Sequence, residues 1–362
     1  MKIIIILLTI FLFISFNSSV FGEDFYLDSP RNSATLRSEI DNDIIWNKDS
    51  NFSNGWSIQY HSSRYSKWEE TKMPGFIQWV GEHFPALDNE GSIVRNSQGI
   101  GQNMITPGDL TVETQQDGDL PYAGTLTYTL SWQNFNRNKA SNFQISLGVL
   151  GSESMAGAFQ KFVHDDLDMG VSPQGWDTQR ETEPIINVGY EHAMRIGYIG
   201  NYLNDWAGQL TVIPSASLGN LITSFEVGFA LRFGWNILEG FNTYPAPPGR
   251  GFFHASYLPK PPSASPHGFE VVMGARTSHL IYSVIYDGSL ITDDNRSVDR
   301  NYFILAAGLG LFYHYYDLFS IRITFESSTD LIKEDSIPET YTEEEKTSGN
   351  ISYGSIILDF HF

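Results

Sequence analysis

The chain contains no cysteine. This excludes a disulfide framework, a thiol nucleophile and any thiolate-held metal. Positive charge is scarce: 22 Lys and Arg stand against 42 Asp and Glu, a formal net charge of −20 at pH 7. So acidic a chain lacks the basic surface that nucleic acid requires, and no nucleic-acid partner is expected. Long apolar runs are also missing, with one exception at residues 3–16. Lys2 precedes that run, and small residues follow it, with Val20 and Gly22 at the −3 and −1 positions of a cleavage site before Glu23. The segment reads as a secretory signal peptide over residues 1–22, leaving residues 23–362 as one domain. A membrane anchor is the alternative, but a run of about 14 residues is shorter than the roughly 20 a spanning helix needs.

What replaces apolar runs is alternation. Tyr122, Gly124, Leu126, Tyr128, Leu130 and Trp132 share one face, opposite Ala123, Thr125, Thr127, Thr129 and Ser131. Phe225, Val227, Phe229, Leu231, Phe233 and Trp235 oppose Glu226, Arg232 and small residues, and Phe319, Ile321, Ile323 and Phe325 oppose Arg322 and Glu326. Each is a period-2 pattern as long as a tilted membrane strand, with aromatics near its ends. A soluble β-sandwich also alternates. It does not place ionisable groups opposite large apolar ones in strand after strand, nor stop inside a strand ending in an aromatic, as Ile356, Leu358, Phe360 and Phe362 do here. The expected fold is all-β, a transmembrane antiparallel barrel of about 12 strands in the bacterial outer membrane. Residues 63–98 and 237–266 are long for periplasmic turns and are expected as extracellular loops. The strand pattern over residues 267–290 could hide a turn at Thr277-Ser278.

One segment breaks the rhythm. Residues 152–168 follow a helical pattern, with Met155, Phe159, Phe162 and Val163 as an apolar stripe and Ser152 or Ser154 available as N-cap. Gln160, His164 and Asp168 recur every four residues and line another side of the same helix. A carboxylate beside an imidazole orients it and stabilises its protonated form, which suits His164 as a general base.

A second cluster crowds oxygen ligands near the N-terminus: Asp41, Asn42, Asp43, Asp49 and Ser53. Such donors suit a hard cation such as Ca²⁺, although Asn47 to Asn51 has an ordinary turn composition. Asn42 and Asp43 interrupt an apolar face carried by Ile40, Ile44 and Trp46. Neighbours on a strand point oppositely, so both serve one site only at a bulge or a strand end. Alternation places Ser53 with Gly55, Ser57 and Gln59 on the presumed lumen side.

These residues, with Thr106-Pro107, Asp119, Pro121 to Gly124 and Pro173 to Asp177, resemble the lipid A deacylase family of outer-membrane barrels, the LpxR type. Asn42-Asp43 matches its Asn-Asp pair, Phe52 to Gly55 its aromatic-Thr-x-Gly motif with serine for threonine, and His164 its helix histidine, with Gln160 a turn earlier. The resemblance implies a Ca²⁺-dependent esterase acting on lipid A, in which His164 activates water and Ca²⁺ stabilises the oxyanion. It implies catalytic roles for His164, Asp43, Ser53 and Gln160, and metal binding by Asn42, Asp43 and Asp168. Two departures stand. The spacing from His164 to Trp176 is one residue longer, leaving Asp165 and Asp166 as alternatives to Asp168. The stretch from Gly108 to Gln116 carries no Lys or Arg to meet lipid phosphates. A non-catalytic structural or transport barrel and an outer-membrane phospholipase are the competing readings.

Overall fold

The structure is a computed structural model that describes residues 26–29, 32–43, 51–115, 118–162, 172–242, 255–315, 318–333 and 350–362, with side chains described for all of these except 51–53 and 255. The signal-peptide segment lies outside them. Twelve antiparallel strands close a barrel. In chain order they are β1 (Thr35–Asn42), β2 (Asn51–His61), β3 (Ile93–Thr106), β4 (Ala123–Phe135), β5 (Lys139–Leu150), β6 (Glu183–Gly200), β7 (Trp206–Gly219), β8 (Ile222–Trp235), β11 (His267–Ser283), β12 (Phe303–Tyr315), β13 (Phe319–Ser328) and β14 (Ser352–His361). The short strands β9 (Gly240–Asn242) and β10 (Ala255–Tyr257) form a separate hairpin. Pairing of β1 with β14, from Thr35 opposite His361 to Asn42 opposite Gly354, removes the last free edge.

Alternation decides which way each side chain points. On β8, Ser224, Glu226 and Arg232 are buried toward the lumen, while Phe225, Phe229, Leu231 and Phe233 are exposed on the outer wall. No helix among the described residues is long and apolar enough to cross a membrane, and an outward apolar face on tilted strands takes that role in a barrel.

The lumen is filled. Arg37 and Arg322 share Asp359 at 2.7 and 3.1 Å, Arg232 pairs with Glu270 at 2.6 Å, and Arg276 pairs with Glu326 at 2.7 Å. The β9–β10 hairpin enters this interior. Arg232 donates to the carbonyls of Gly240 and Leu238 at 2.9 and 2.8 Å, Gln209 donates to Gly240 at 2.9 Å, and Arg64 donates to Tyr257 at 2.6 Å. The hairpin backbone thus accepts hydrogen bonds from wall residues that also pair with one another, Arg232 with Glu270 and Gln209 with Thr211.

An even strand count brings both chain ends to one rim, together with the short connections 136–138, 201–205 and 316–318. The connections 43–50, 107–122, 151–182, 284–302 and 329–351 belong to the opposite rim. Two long connections depart from the expectation. Residues 62–92 and 236–266 connect strands at the chain-end rim and not at the rim of the helical loop, because the chain returns there after β2 and after β8. The first carries helix α1 (Gly75–His83) against the outer wall, and the second supplies the hairpin in the lumen. The doubtful strand at 267–290 is one strand as far as Ser283, with a register shift between Leu280 and Tyr282. The chain turns only afterwards, in the short helix that follows Ser283.

Candidate functional site

The helical loop lies on the outside of the barrel. Ile100 and Tyr128 are paired across β3 and β4, and both are exposed on the outer wall. Counting by twos toward the rim, Gln102, Met104, Gly124 and Tyr122 share that outward face, yet Gln102, Met104 and Tyr122 are buried. Residues 151–162 cover them. Gln102 Nε2 donates to the Ser154 carbonyl at 2.6 Å, and the Trp56 indole donates to Gln102 Oε1 at 2.9 Å. A Cβ on Gly124 would collide with Ala156 Cβ and Ser154 Oγ. A glycine at the second position of β4 marks this close approach.

Within the loop, a 3₁₀ turn (Ser152–Ser154) leads into α2 (Ala156–Lys161) through Met155 at φ 60°. The N-cap position is Met155, with no side-chain cap, so neither Ser152 nor Ser154 takes the expected place; one residue earlier, Ser154 Oγ accepts from the Ala156 amide at 3.3 Å and donates to the Gly151 carbonyl at 2.6 Å. The described part of the apolar stripe faces outward. Met155, Phe159 and Phe162 are 66, 39 and 51 % exposed, while Ala156, Gly157 and Gln160 are buried. Small residues let the helix settle onto the wall, and the large ones are left facing where lipid lies.

Gln160 is held in this interface. Its Oε1 accepts from the Trp176 indole at 2.7 Å, and its Nε2 has no partner among the described residues. Trp176 packs on Tyr122, with ring centroids 5.1 Å apart, and the Tyr122 hydroxyl donates to the Leu110 carbonyl at 2.9 Å. A Cβ on Gly157 would strike the Trp176 ring. Asp119 supports the neighbouring loop: its carboxylate accepts from the amides of Gly108 and Leu120 at 2.8 and 2.7 Å, while burial pushes its pKa up.

At the N-terminal cluster, β1 ends at Asn42, and Asp43 follows it with 1 % exposure. Ile40 is exposed on the outer wall, so Asn42, two residues on, lies on the outward face. The β2–β3 ladder shifts between Phe52 and Asn54. Ser53 is therefore the extra residue of a bulge, and the alternation that assigned it to the lumen does not carry through it. Asn42, Asn54, Met104 and Gly124 form one row across four strands, ending beneath α2. The structure thus brings Asn42 to the face and rim that hold Gln160. His164 and Asp168 lie outside the described residues. No group of three or more His, Asp or Glu clusters as a metal site among the described residues. The donors that are described, an amide at Asn42 and a buried carboxylate at Asp43, are oxygens that fit a hard cation.

A latch across the rim secures the far end of the loop. Arg180 donates to Asp294 Oδ1 at 3.0 Å and to the Ile285 carbonyl at 2.8 Å, and the Glu181 amide donates to Asp294 Oδ2 at 3.1 Å. Arg296 pairs with the same carboxylate at 2.6 Å and donates to the carbonyls of Thr178 and Gln179 at 2.6 and 2.9 Å. Burial acts to raise the Asp294 carboxyl. The hydrogen bonds from Arg296 and Glu181 and the charges of Arg180 and Arg296 outweigh it, holding the group at about 2. Tyr122, Trp176, Arg180, Asp294 and Arg296 have no role assigned from the sequence. Tyr122 and Trp176 sit in the quoted motifs, but nothing in the sequence links residue 294 to residue 180.

Comparison with known proteins follows the same lines. A comparison with curated protein sequences returns no match. Among solved structures, LpxR from Salmonella typhimurium superposes with a TM-score of 0.68 at 15 % identity, covering 91 % of this chain and all of that one. The β domain of the Bordetella autotransporter BrkA reaches only 0.39 at 9 % identity, covering 91 and 97 % of the two chains. At those identities the first likeness shows the fold alone, and the second carries no argument. The family model described as outer membrane protein LpxR matches residues 6–356, nearly the whole chain. The chain belongs to the LpxR family of bacterial outer-membrane proteins.

Proposed function

We propose that this protein is a lipid A deacylase that hydrolyses an acyl ester by His-activated water with Ca²⁺ to stabilise the oxyanion. Family membership supports the coarse reading of a lipid A deacylase-type enzyme in the outer membrane. One observation carries it further: α2 and its buried Gln160 lie on the lipid-facing side of the wall, over Gln102, Met104 and Gly124. A site in that place meets membrane lipids and not solutes in a pore. The filled lumen argues in the same direction against a transport barrel.

In this reading His164, one turn beyond Gln160, takes the proton from the attacking water, and Asp168 orients it. Asn42, Asp43 and Asp168 would hold the cation through oxygen donors, and Ser53 would add its hydroxyl to the site. A Ca²⁺ ion held there would supply positive charge where the oxyanion develops. Gln160, fixed by Trp176, has an amide N–H₂ left to orient substrate or water. The stretch from Gly108 to Gln116 has no Lys or Arg, so phosphate recognition rests elsewhere or with the cation.

The test is mass spectrometry of lipid A and, separately, of glycerophospholipid after incubation with the purified chain and its His164→Ala variant. The reading expects loss of an acyl chain from lipid A with the wild type, and a drop of about 10²–10⁴-fold in the variant, the usual worth of a positioned general base. Equal rates in the two proteins would refute the role of His164. Cleavage of glycerophospholipid alone would replace the substrate.

A further inference from the structure

We infer that α1 is an interfacial helix that inserts Phe76 and Trp79 into the membrane leaflet at the chain-end rim. The inference is independent of the catalytic reading. Helix α1 is held on the outer wall, not beneath the barrel. The Trp132 indole donates to the Ile77 carbonyl at 2.8 Å, Phe84 stacks on Phe143 with centroids 4.1 Å apart, and Asn89 donates to Asn134 Oδ1 at 3.0 Å. Trp132 belongs to the outward series Tyr128, Leu130, Trp132, and Phe143 is its cross-strand partner. The buried cluster beneath the helix includes Ile77, Leu87, Val94 and Trp132, with Leu130 and Ile145 packed against it.

These covered positions belong to the lipid-facing wall. Trp132 lies three residues inside the end of β4, about 10 Å along the strand. The helix therefore takes the place of wall surface at the edge of the apolar band, and its own outer face becomes the surface presented to lipid. That face carries Phe76 at 66 % and Trp79 at 59 % exposure, with Trp79 stacked on His83. Large aromatics on one side of a short helix at this depth match an amphipathic helix lying in the boundary between headgroups and acyl chains, where burial reaches about 5–10 Å. The partner is the glycerophospholipid leaflet itself. The face continues the apolar wall exposed at Ile100, Tyr128 and Leu147.

The absence of native cysteine allows a direct test in the full chain reconstituted in phospholipid vesicles. Single nitroxide labels are placed through Phe76→Cys and Trp79→Cys, with Leu147→Cys as a wall reference and Asp88→Cys as an exposed loop reference. Collision with oxygen and with a water-soluble nickel chelate is then read for each. At 76 and 79 the oxygen-to-nickel ratio is expected on the Leu147 side, and values matching Asp88 would overturn the inference. A conservative variant guards against a failure of the labelled chains to fold. Trp79→Phe should remove a component of tryptophan emission that brominated lipid quenches in the unsubstituted protein. Quenching unchanged by that variant would overturn the inference equally.

Discussion

A few residues carry the account, and glycine is the least conspicuous of them. Gly124 and Gly157 let the wall, α2 and the Trp176 ring approach to contact. Gly124→Val is expected to lift α2 from β4 and to lower lipid hydrolysis severely, while heat-modifiable gel migration, the mark of a closed barrel, persists. Activity retained in that variant would separate α2 from the chemistry. Asp43 is the other decisive residue, a nearly inaccessible side chain just past a strand end. Asp43→Ala is expected to raise the Ca²⁺ concentration needed for turnover or to abolish it, with Asp49→Ala as the control. Chelation should stop the reaction, and Ca²⁺ should restore it better than Mg²⁺, whose rigid octahedral shell tolerates irregular donors poorly. Full turnover in EDTA would remove the metal from the account. At this scale the sequence singled out Asn42-Asp43 by a broken apolar face and Gln160 by its helical spacing, and the structure places Asn42 and Gln160 on the same outward face and rim. Ser53 lies at a register shift in the β2–β3 ladder, which the local alternation does not reveal.

Among elements, the rim latch is the feature most open to measurement. Arg180 and Asp294 are almost wholly buried, whereas Arg296 is partly exposed. Removing one member of a buried pair costs about 3–5 kcal/mol, and the exposed arginine moves the expectation for Asp294→Asn toward the lower end. Faster proteolysis of the 172–182 segment would report it, and an unchanged cleavage rate would contradict the latch. The pH dependence has a definite sign. Asp294 ionises at about 2 in the folded protein, against about 3.9 in an unfolded chain, so the folded state binds fewer protons between those values. The contribution is complete above about pH 4 and is lost as pH falls through about 2, and the rate of loop cleavage at graded acid pH should follow it. Strands were readable as elements because period 2 repeats in each of them. The burial sense of α2 was not. A helix seated on a membrane wall buries its small residues and exposes its large ones, the reverse of the water-soluble rule behind the Met155, Phe159 and Phe162 stripe. The long connections 62–92 and 236–266 were misplaced for a related reason: length alone does not distinguish a free loop from one packed on the wall or in the lumen.

For the whole molecule, the closed barrel and its ion-paired interior agree with the proposal that the chemistry lies on the outer face. Arg37, Arg232, Arg276 and Arg322 pair with carboxylates in the lumen, and the β9–β10 hairpin takes up further donors. Reconstituted in a planar bilayer, the protein is expected to show no steady porin-like conductance. A stable large conductance would revive the transport reading. The central claim is that the outer face between β1 and α2 cleaves an acyl ester of lipid A. The most direct measurement is mass spectrometry of lipid A presented in mixed micelles to the purified protein, with Ca²⁺ and with EDTA. The account expects a product lighter by one acyl chain, together with the released fatty acid, in Ca²⁺ only. Lipid A of unchanged mass in both conditions, from protein shown to be folded, would contradict it.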